Sequence, residues 1–146
     1  MNLEKARFNM VEQQIRTWMV LEPAALAVLS AVEREKFTPI AYQSLAYADT
    51  EIPLALGQTM LPPRIDARLM HDLHLQGHES VLEIGAGSGY MAALLAHHAK
   101  QVVTVEIEPE LKALAELDSD QDIEWSIDRL TGTAEELGFV ERVSSS

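Results

Sequence analysis

The sequence predicts an α/β fold, with an N-terminal helical segment leading into parallel strands. Three observations carry this. Apolar residues recur at helical spacing through the first forty positions. Two short apolar runs, 81–84 and 101–107, flank an alanine-rich helical stretch, the economical reading of which is a parallel βαβ unit. And 146 residues, 47% apolar and 23% charged, suit one soluble globular core.

The elements follow in order. "ARFNMVEQQI" places Phe8, Val11 and Ile15 on one helical face. In "EPAALAVLSAVER", Ala25, Leu26, Val28, Leu29 and Val32 form a wider apolar face, with Glu22 and Pro23 suited to the first turn. Thr38 and Pro39 should end that segment, because the residue before a proline is pushed out of the helical region. From Tyr47 to Arg64, Pro53, Gly57, Pro62 and Pro63 argue for an ordered irregular loop. Helical spacing returns through Ile65, Leu69 and Leu73, and Gly77 is placed to stop it. Residues 81–84, interrupted only by Glu83, read as a strand buried on both faces. "GYMAALLAHHA" reads as a helix, "QVVTVEI" as a second buried strand, "EPELKALAEL" as a second helix, and "DIEWSI" as a third strand. "TAEELGFVERVSSS" closes the chain as a short helix with a polar tail. Two segments result: residues 1–64, helices and a functional loop, and residues 65–146, the sheet-bearing half.

Composition excludes several classes. With 23 acidic against 11 basic side chains the formal charge is −12, which repels phosphate backbones and leaves no basic stripe for nucleic acid. No run approaches a membrane span, and the N-terminus lacks the apolar stretch of a secretory signal. The absence of cysteine removes disulfides and thiolate chemistry. A cytoplasmic protein with small-molecule or protein partners is expected. His71, His74 and His78 are spaced as three ligands on one helix face would be, but Gly77 should end the helix before His78, so exposed histidines and no metal are expected. "ELDSDQDIE" lacks the glycine and ordered ligand spacing of a calcium loop. Trp18 and Trp125 read as packing residues.

The chemistry lies in "VLEIGAGSGY". Gly85, Gly87 and Gly89 form G-x-G-x-G, and Tyr90 stands where a dinucleotide fingerprint would have its third glycine. This disfavours a nicotinamide-dependent oxidoreductase. The triplet preceded by Glu83 resembles motif I of the class I S-adenosylmethionine-dependent methyltransferases, where bare backbone lets the cofactor approach. Glu106, at the end of the second strand about 20 residues after Gly85, can accept two hydrogen bonds from vicinal ribose hydroxyls.

Four segments narrow the class further. "MVEQQIR" (10–16), "VEREKFTP" (32–39), "AYADTEIPLALGQT" (46–59) and "VLEIGAGSGY" stand in the order and spacing of the protein-L-isoaspartate O-methyltransferases. The chain resembles that family from about Ala6 to Ala115. The resemblance implies a partial Rossmann-like methyltransferase fold, S-adenosylmethionine as cofactor, and methyl transfer to the carboxylate of isoaspartyl residues in damaged proteins. The ester then cyclises to a succinimide and reopens partly as normal aspartate. It also implies that Thr59 and Met60 belong to a loop covering the cofactor, that Glu83, Gly85, Ala86, Gly87, Ser88, Gly89 and Glu106 contact it, and that Asp128 is the adenine-side acid. Leu61 occupies the position of the family's active-site serine, and Thr59 is the nearest alternative hydroxyl. The family continues well past Glu106, so the chain is expected to be shortened at its C-terminus, with an unpaired sheet edge suited to homodimerisation. A degenerate, non-catalytic S-adenosylmethionine-binding module is the runner-up function.

Overall fold

The computed structural model describes residues 2–106, Glu108, Glu110 and 127–131. Helix α1 (Leu3–Met10) starts where Asn2 accepts the Lys5 N–H at 3.0 Å, with Glu4 in its positive first turn. It widens into a π turn (Val11–Ile15), tightens into a 3-10 turn (Arg16–Trp18), and stops at Met19 in the left-handed region. The π turn shifts the phase of the buried line. Met10, Val11 and Ile15 enter the core, whereas Phe8, expected beside them, is 64% exposed.

Helix α2 (Pro23–Ala31) has proline at its start, as expected, and buries Ala25, Val28 and Leu29. It ends earlier than Thr38: Val32 is already extended, and two 3-10 stretches follow, Arg34–Phe37 and Ile40–Leu45. The early turn brings the Arg34 side chain inside the protein. Thr38 is extended before Pro39. The irregular region contains a minimal antiparallel hairpin, β1 (Ile52–Pro53) and β2 (Thr59–Met60). Its turn takes positive φ at Leu56 and Gly57, and the Leu54 N–H donates to the Gln58 carbonyl at 2.7 Å.

Helix α3 (Pro63–Leu73) ends at His74, in the left-handed region, before Gly77 is reached. Its inward line is Pro63, Asp66, Ala67 and Met70. The stripe of Ile65, Leu69 and Leu73 is not that line, and Leu69 and Leu73 are about half exposed. The polar residue goes inside because Asp66 has a buried partner there.

Strands β3 (Ser80–Ile84) and β4 (Gln101–Val105) pair in parallel, Val81 opposite Val102 and Ile84 opposite Val105, joined through α4 (Tyr90–Ala96). Strand β5 (Ile127–Thr131) pairs with β4 in parallel; it begins at the last residue of "DIEWSI", whose residues 122–126 lie outside the described residues. The sheet order is β3–β4–β5. Strand β3 is not buried on both faces as expected. Val81 packs with Ala92, Leu95 and Val102 on the α4 side, while Leu82 and Ile84 point the other way and Ile84 is 73% exposed. Among the described residues α4 covers only one face. The other core cluster, which includes Met10, Leu29, Phe37, Ile52, Met70 and Leu94, joins the helices and hairpin to α4. The expected helix after Glu106, the acidic cluster, Trp125 and the terminal helix lie outside the described residues.

Candidate functional site

The glycine loop leaves β3 with a backbone that suits glycine alone. Gly85 and Gly89 take φ of 92° and 88°, which side chains rarely adopt, and Gly87 takes 55°. A Cβ on Gly85 would meet nothing within 4 Å, so the loop presents open backbone to its surroundings. Gly85 N–H stays in the ladder, donating to the Val105 carbonyl at 2.8 Å. The Gly89 N–H closes a turn on the Ala86 carbonyl at 2.9 Å before α4 begins.

Glu106 sits where the sequence puts it, just past β4, and is 8% exposed. Its Oε2 accepts the Gly87 N–H at 3.1 Å and its Oε1 the Glu108 N–H at 3.2 Å. Each oxygen retains acceptor capacity. The carboxylate therefore ties the end of β4 to the glycine loop while remaining able to accept from a bound hydroxyl pair.

A cleft of about 280 Å³ opens over the loop. Thr59, Met60 and Leu61 form one wall, Glu83, Gly85, Ala86, Gly87 and Ser88 the other, and Asp66 and Tyr90 also line it. The structure thus brings together most of the expected positions. Gly89 and Glu106 are not in the cleft lining. Gly89 caps α4, Glu106 supports the loop beside the cleft, and Asp128 lies in β5 at the register shift opposite Val102 and Val103. Leu61, at the expected serine position, is 40% exposed and offers the cleft no hydroxyl; Thr59 does.

Electrostatics in the cleft are one-sided. Burial pushes the Glu83 carboxyl up to about 7, aided by the negative charges of Asp66 and Glu106 and opposed by a hydrogen bond from Thr104 Oγ1 at 2.6 Å. Burial likewise raises Asp66 to about 6, against the pull of Arg34. Sequence reasoning missed Arg34 and Asp66. The Arg34 side chain is fully buried; Nη1 donates to Asp66 Oδ2 at 3.0 Å, Nε to the Ala46 carbonyl at 2.7 Å, and Nη2 to the Leu61 carbonyl at 2.6 Å. Its guanidinium carbon lies 4.5 Å from the centre of the Tyr90 ring. One side chain thereby fixes the Leu61 wall to α3 and to the first residue of α4. Tyr90, which in the sequence stands out only as a missing glycine, is buried, and its hydroxyl finds no hydrogen-bond partner among the described residues.

His74 terminates α3, the His78 side chain is 80% exposed, and among the described residues no three acidic, histidine or cysteine groups converge on a metal position. Trp18 is half exposed, with the Arg64 guanidinium 4.3 Å over its ring. Among the described residues no helix is long and apolar enough to cross a membrane.

A helical layer on a parallel sheet, with the strand-to-helix glycine loop facing a cleft, defines a Rossmann-like methyltransferase fold. Solved structures agree. A protein-L-isoaspartate O-methyltransferase superposes with a TM-score of 0.71 at 21% identity, covering 88% of this chain and 42% of the other. A Plasmodium falciparum protein described as a putative protein-L-isoaspartate O-methyltransferase, in complex with S-adenosyl-L-homocysteine, gives 0.62 at 18% identity, covering 84% and 56%. The family model for protein-L-isoaspartate(D-aspartate) O-methyltransferase matches residues 5–129. The chain belongs to the protein-L-isoaspartate(D-aspartate) O-methyltransferase family.

Curated relatives carry the same name. The chain is 44% identical over 110 residues to protein-L-isoaspartate O-methyltransferase 2 of Anaeromyxobacter sp., covering 75% of this chain and 45% of that one. It is 48% identical over 105 residues to the Picosynechococcus sp. enzyme, covering 72% and 47%. With the Koribacter versatilis enzyme the match runs over 134 residues at 37%, covering 92% and 60%. The chain spans about half the length of the first two relatives.

Proposed function

We propose that the chain binds S-adenosylmethionine over the glycine loop and serves methyl transfer to the carboxylate of isoaspartyl residues in damaged proteins. The observation that carries this is the cleft that sets residues 59–61 against Glu83 and residues 85–88. The residues fit the group. Bare backbone at Gly85 lets a nucleoside approach without meeting a side chain, and Glu106 has acceptor capacity for a ribose. In this reading Gly85, Ala86, Gly87, Ser88 and Gly89 shape the seat, Glu106 takes the ribose hydroxyls, Glu83 faces the amino-acid portion, and Thr59 and Met60 cover it. Asp128 is proposed on the adenine side. When bound, the cofactor supplies an electrophilic methyl group. The acceptor carboxylate is already ionised at neutral pH, so the protein contributes alignment more than proton transfer. Thr59 is the hydroxyl available to orient it.

Leu61 supports a second reading: a binding module that keeps the cofactor seat without turnover. A leucine neither donates to nor accepts from the substrate carboxylate. Two further features belong to the proposal. Residues 1–64 supply the cover and 65–146 the seat, and a second copy pairs along β3, which is an edge strand among the described residues and exposes Leu82 and Ile84. A cytoplasmic site of action, with no nucleic-acid or membrane partner, completes it. The test is methyl transfer from labelled cofactor to an isoaspartyl peptide and to its normal aspartyl twin. Selective transfer to the first upholds the enzyme reading; cofactor binding without transfer upholds the module; neither defeats both. Sedimentation of Ile84→Lys beside the parent tests the dimer, which requires the variant alone to be monomeric.

A further inference from the structure

A second recess, of about 340 Å³, shares no lining residue with the cleft. Asn9, Met10, Gln13 and Gln14 form one side, Ser44 and Tyr47 the other. The π turn shapes the first side. The Arg16 N–H reaches back five residues to the Val11 carbonyl, and the widened turn lets Gln14 share the recess with Asn9 and Gln13. Helices adopt such turns rarely, and often where a site is built. The Gln14 Nε2 donates to the Tyr47 carbonyl at 2.8 Å, which ties the two sides together. Its Oε1 is buried and has no partner among the described residues. Native proteins seldom leave a buried acceptor unmet.

The lining selects the ligand by its chemistry. Although the chain carries a formal charge of −12, no charged side chain lines this recess among the described residues. The Tyr47 hydroxyl is already engaged by Arg7, Glu35 and the Arg34 N–H. What remains is three carboxamides and the Ser44 hydroxyl, each able to donate and to accept. An ionic ligand finds no counter-charge there. A main-chain amide, with one N–H and one C=O, finds its match in a carboxamide.

We propose that this recess docks a main-chain segment of the protein substrate, outside the residue that receives the methyl group. This rests on the reading of the chain as one that acts on isoaspartyl residues in proteins. That acceptor is defined by its own carboxylate, not by its neighbours. Contacts to the neighbours serve every substrate only when they are made to main chain. The N–H groups of such a segment also bring the recess the donors that Gln14 lacks. Arg34 spans the two sites: its N–H meets the Tyr47 hydroxyl at 3.1 Å, and its Nη2 the Leu61 carbonyl at 2.6 Å. One residue therefore fixes a wall of each, and a substrate long enough to occupy both gains from the second as an intramolecular contact.

The probes are isoaspartyl peptides of about five and about fifteen residues, the aspartyl twin of the long one, and a copy of the long one N-methylated away from the acceptor. Affinity is read by fluorescence anisotropy with S-adenosylhomocysteine present, so turnover is not needed. The parent should bind the long peptide roughly tenfold more tightly than the short one. Asn9→Ala combined with Gln13→Ala should erase that margin and leave the short peptide unchanged, because both side chains line the recess and neither lines the cleft. N-methylation should cost the parent as much as the two substitutions do. The Gln14 carboxamide resonance should shift with the long peptide and not with the short one. A parent without the margin, a double variant that keeps it, an equal loss for the short peptide, or tolerance of N-methylation overturns the recess as a main-chain site. The reading of the methyl acceptor fails separately, if the aspartyl twin binds as tightly as the isoaspartyl peptide while the margin persists.

Discussion

Replacing Arg34 by methionine should cost this protein much of its stability. Methionine keeps much of the length and all of the burial but removes every donor. The 3.0 Å pair with Asp66 joins two side chains that are 0% and 9% exposed, and stranding one member of such a pair costs about 3–5 kcal/mol. The Ala46 and Leu61 carbonyls lose donors at 2.7 and 2.6 Å as well, at up to about 1–3 kcal/mol each, though shared membership of one network makes these terms non-additive. A loss of at least about 4 kcal/mol is expected, out of the roughly 5–15 typical of a domain. Urea unfolding followed by circular dichroism measures it. Arg34→Lys, which keeps the charge but loses the planar fork, should fall between parent and methionine variant. The informative comparison is the double variant Arg34→Met with Asp66→Asn. It should recover at least about 1 kcal/mol over Arg34→Met, because the amide needs no counter-charge. A methionine variant within about 1 kcal/mol of the parent, or a double variant no more stable than the single one, would refute the account of Arg34 as the clasp between cleft wall, α3 and α4.

Three further outcomes are expected. Asp66 at about 6 and Glu83 at about 7 sit above their ordinary 3.8 and 4.5 in the folded chain, so the folded state holds more protons than the unfolded one between those values. Their contribution to stability therefore falls as pH rises through 6 and 7, by up to about 1.4 kcal/mol per pH unit for each group. Glu83→Gln should flatten the part of that slope that runs from about 4.5 to about 7, and urea midpoints that fall equally with pH in parent and variant across that range would count against it. Glu106→Ala should weaken S-adenosylhomocysteine by roughly ten- to a hundredfold. A 2′,3′-dideoxy analogue should lose less, its residual loss reflecting the released Gly87 N–H, and equal losses would remove Glu106 from the ribose. Gly85→Val should abolish cofactor binding in a chain that still folds, because φ of 92° strains any β-branched residue and its side chain enters the open approach; unchanged affinity by calorimetry would move the site elsewhere.

What is legible in the sequence is what is encoded locally. Three glycines between two apolar runs specify strand, bare turn and helix over residues 80–105, and Glu106 follows from its place at the end of the second strand. The hairpin region is recognisable as irregular from its prolines, and the cleft wall at residues 59–61 from the resemblance. The rest depends on partners remote in sequence. Arg34 and Asp66 meet across 32 positions, and neither belongs to a periodic pattern; each looks like a surface charge until the fold brings them together. Because Asp66 turns inward, the buried line of α3 runs through Ala67 and Met70, and the more apolar Leu69 and Leu73 are left outside. Phe8 escapes the expected core because a π turn changes helical phase without a distinctive composition. Strand β3 looks doubly buried because apolar content records the capacity for burial, whereas the cover on each face is set by other elements.

The central claim is that the glycine loop seats a nucleoside sulfonium cofactor rather than a dinucleotide. Isothermal calorimetry of the 146-residue chain with S-adenosylhomocysteine and, separately, with NAD tests it most directly. Saturable one-to-one binding of S-adenosylhomocysteine and no measurable heat from NAD are expected. Binding of NAD at equal or higher affinity, or silence with S-adenosylhomocysteine from a folded chain, would contradict it.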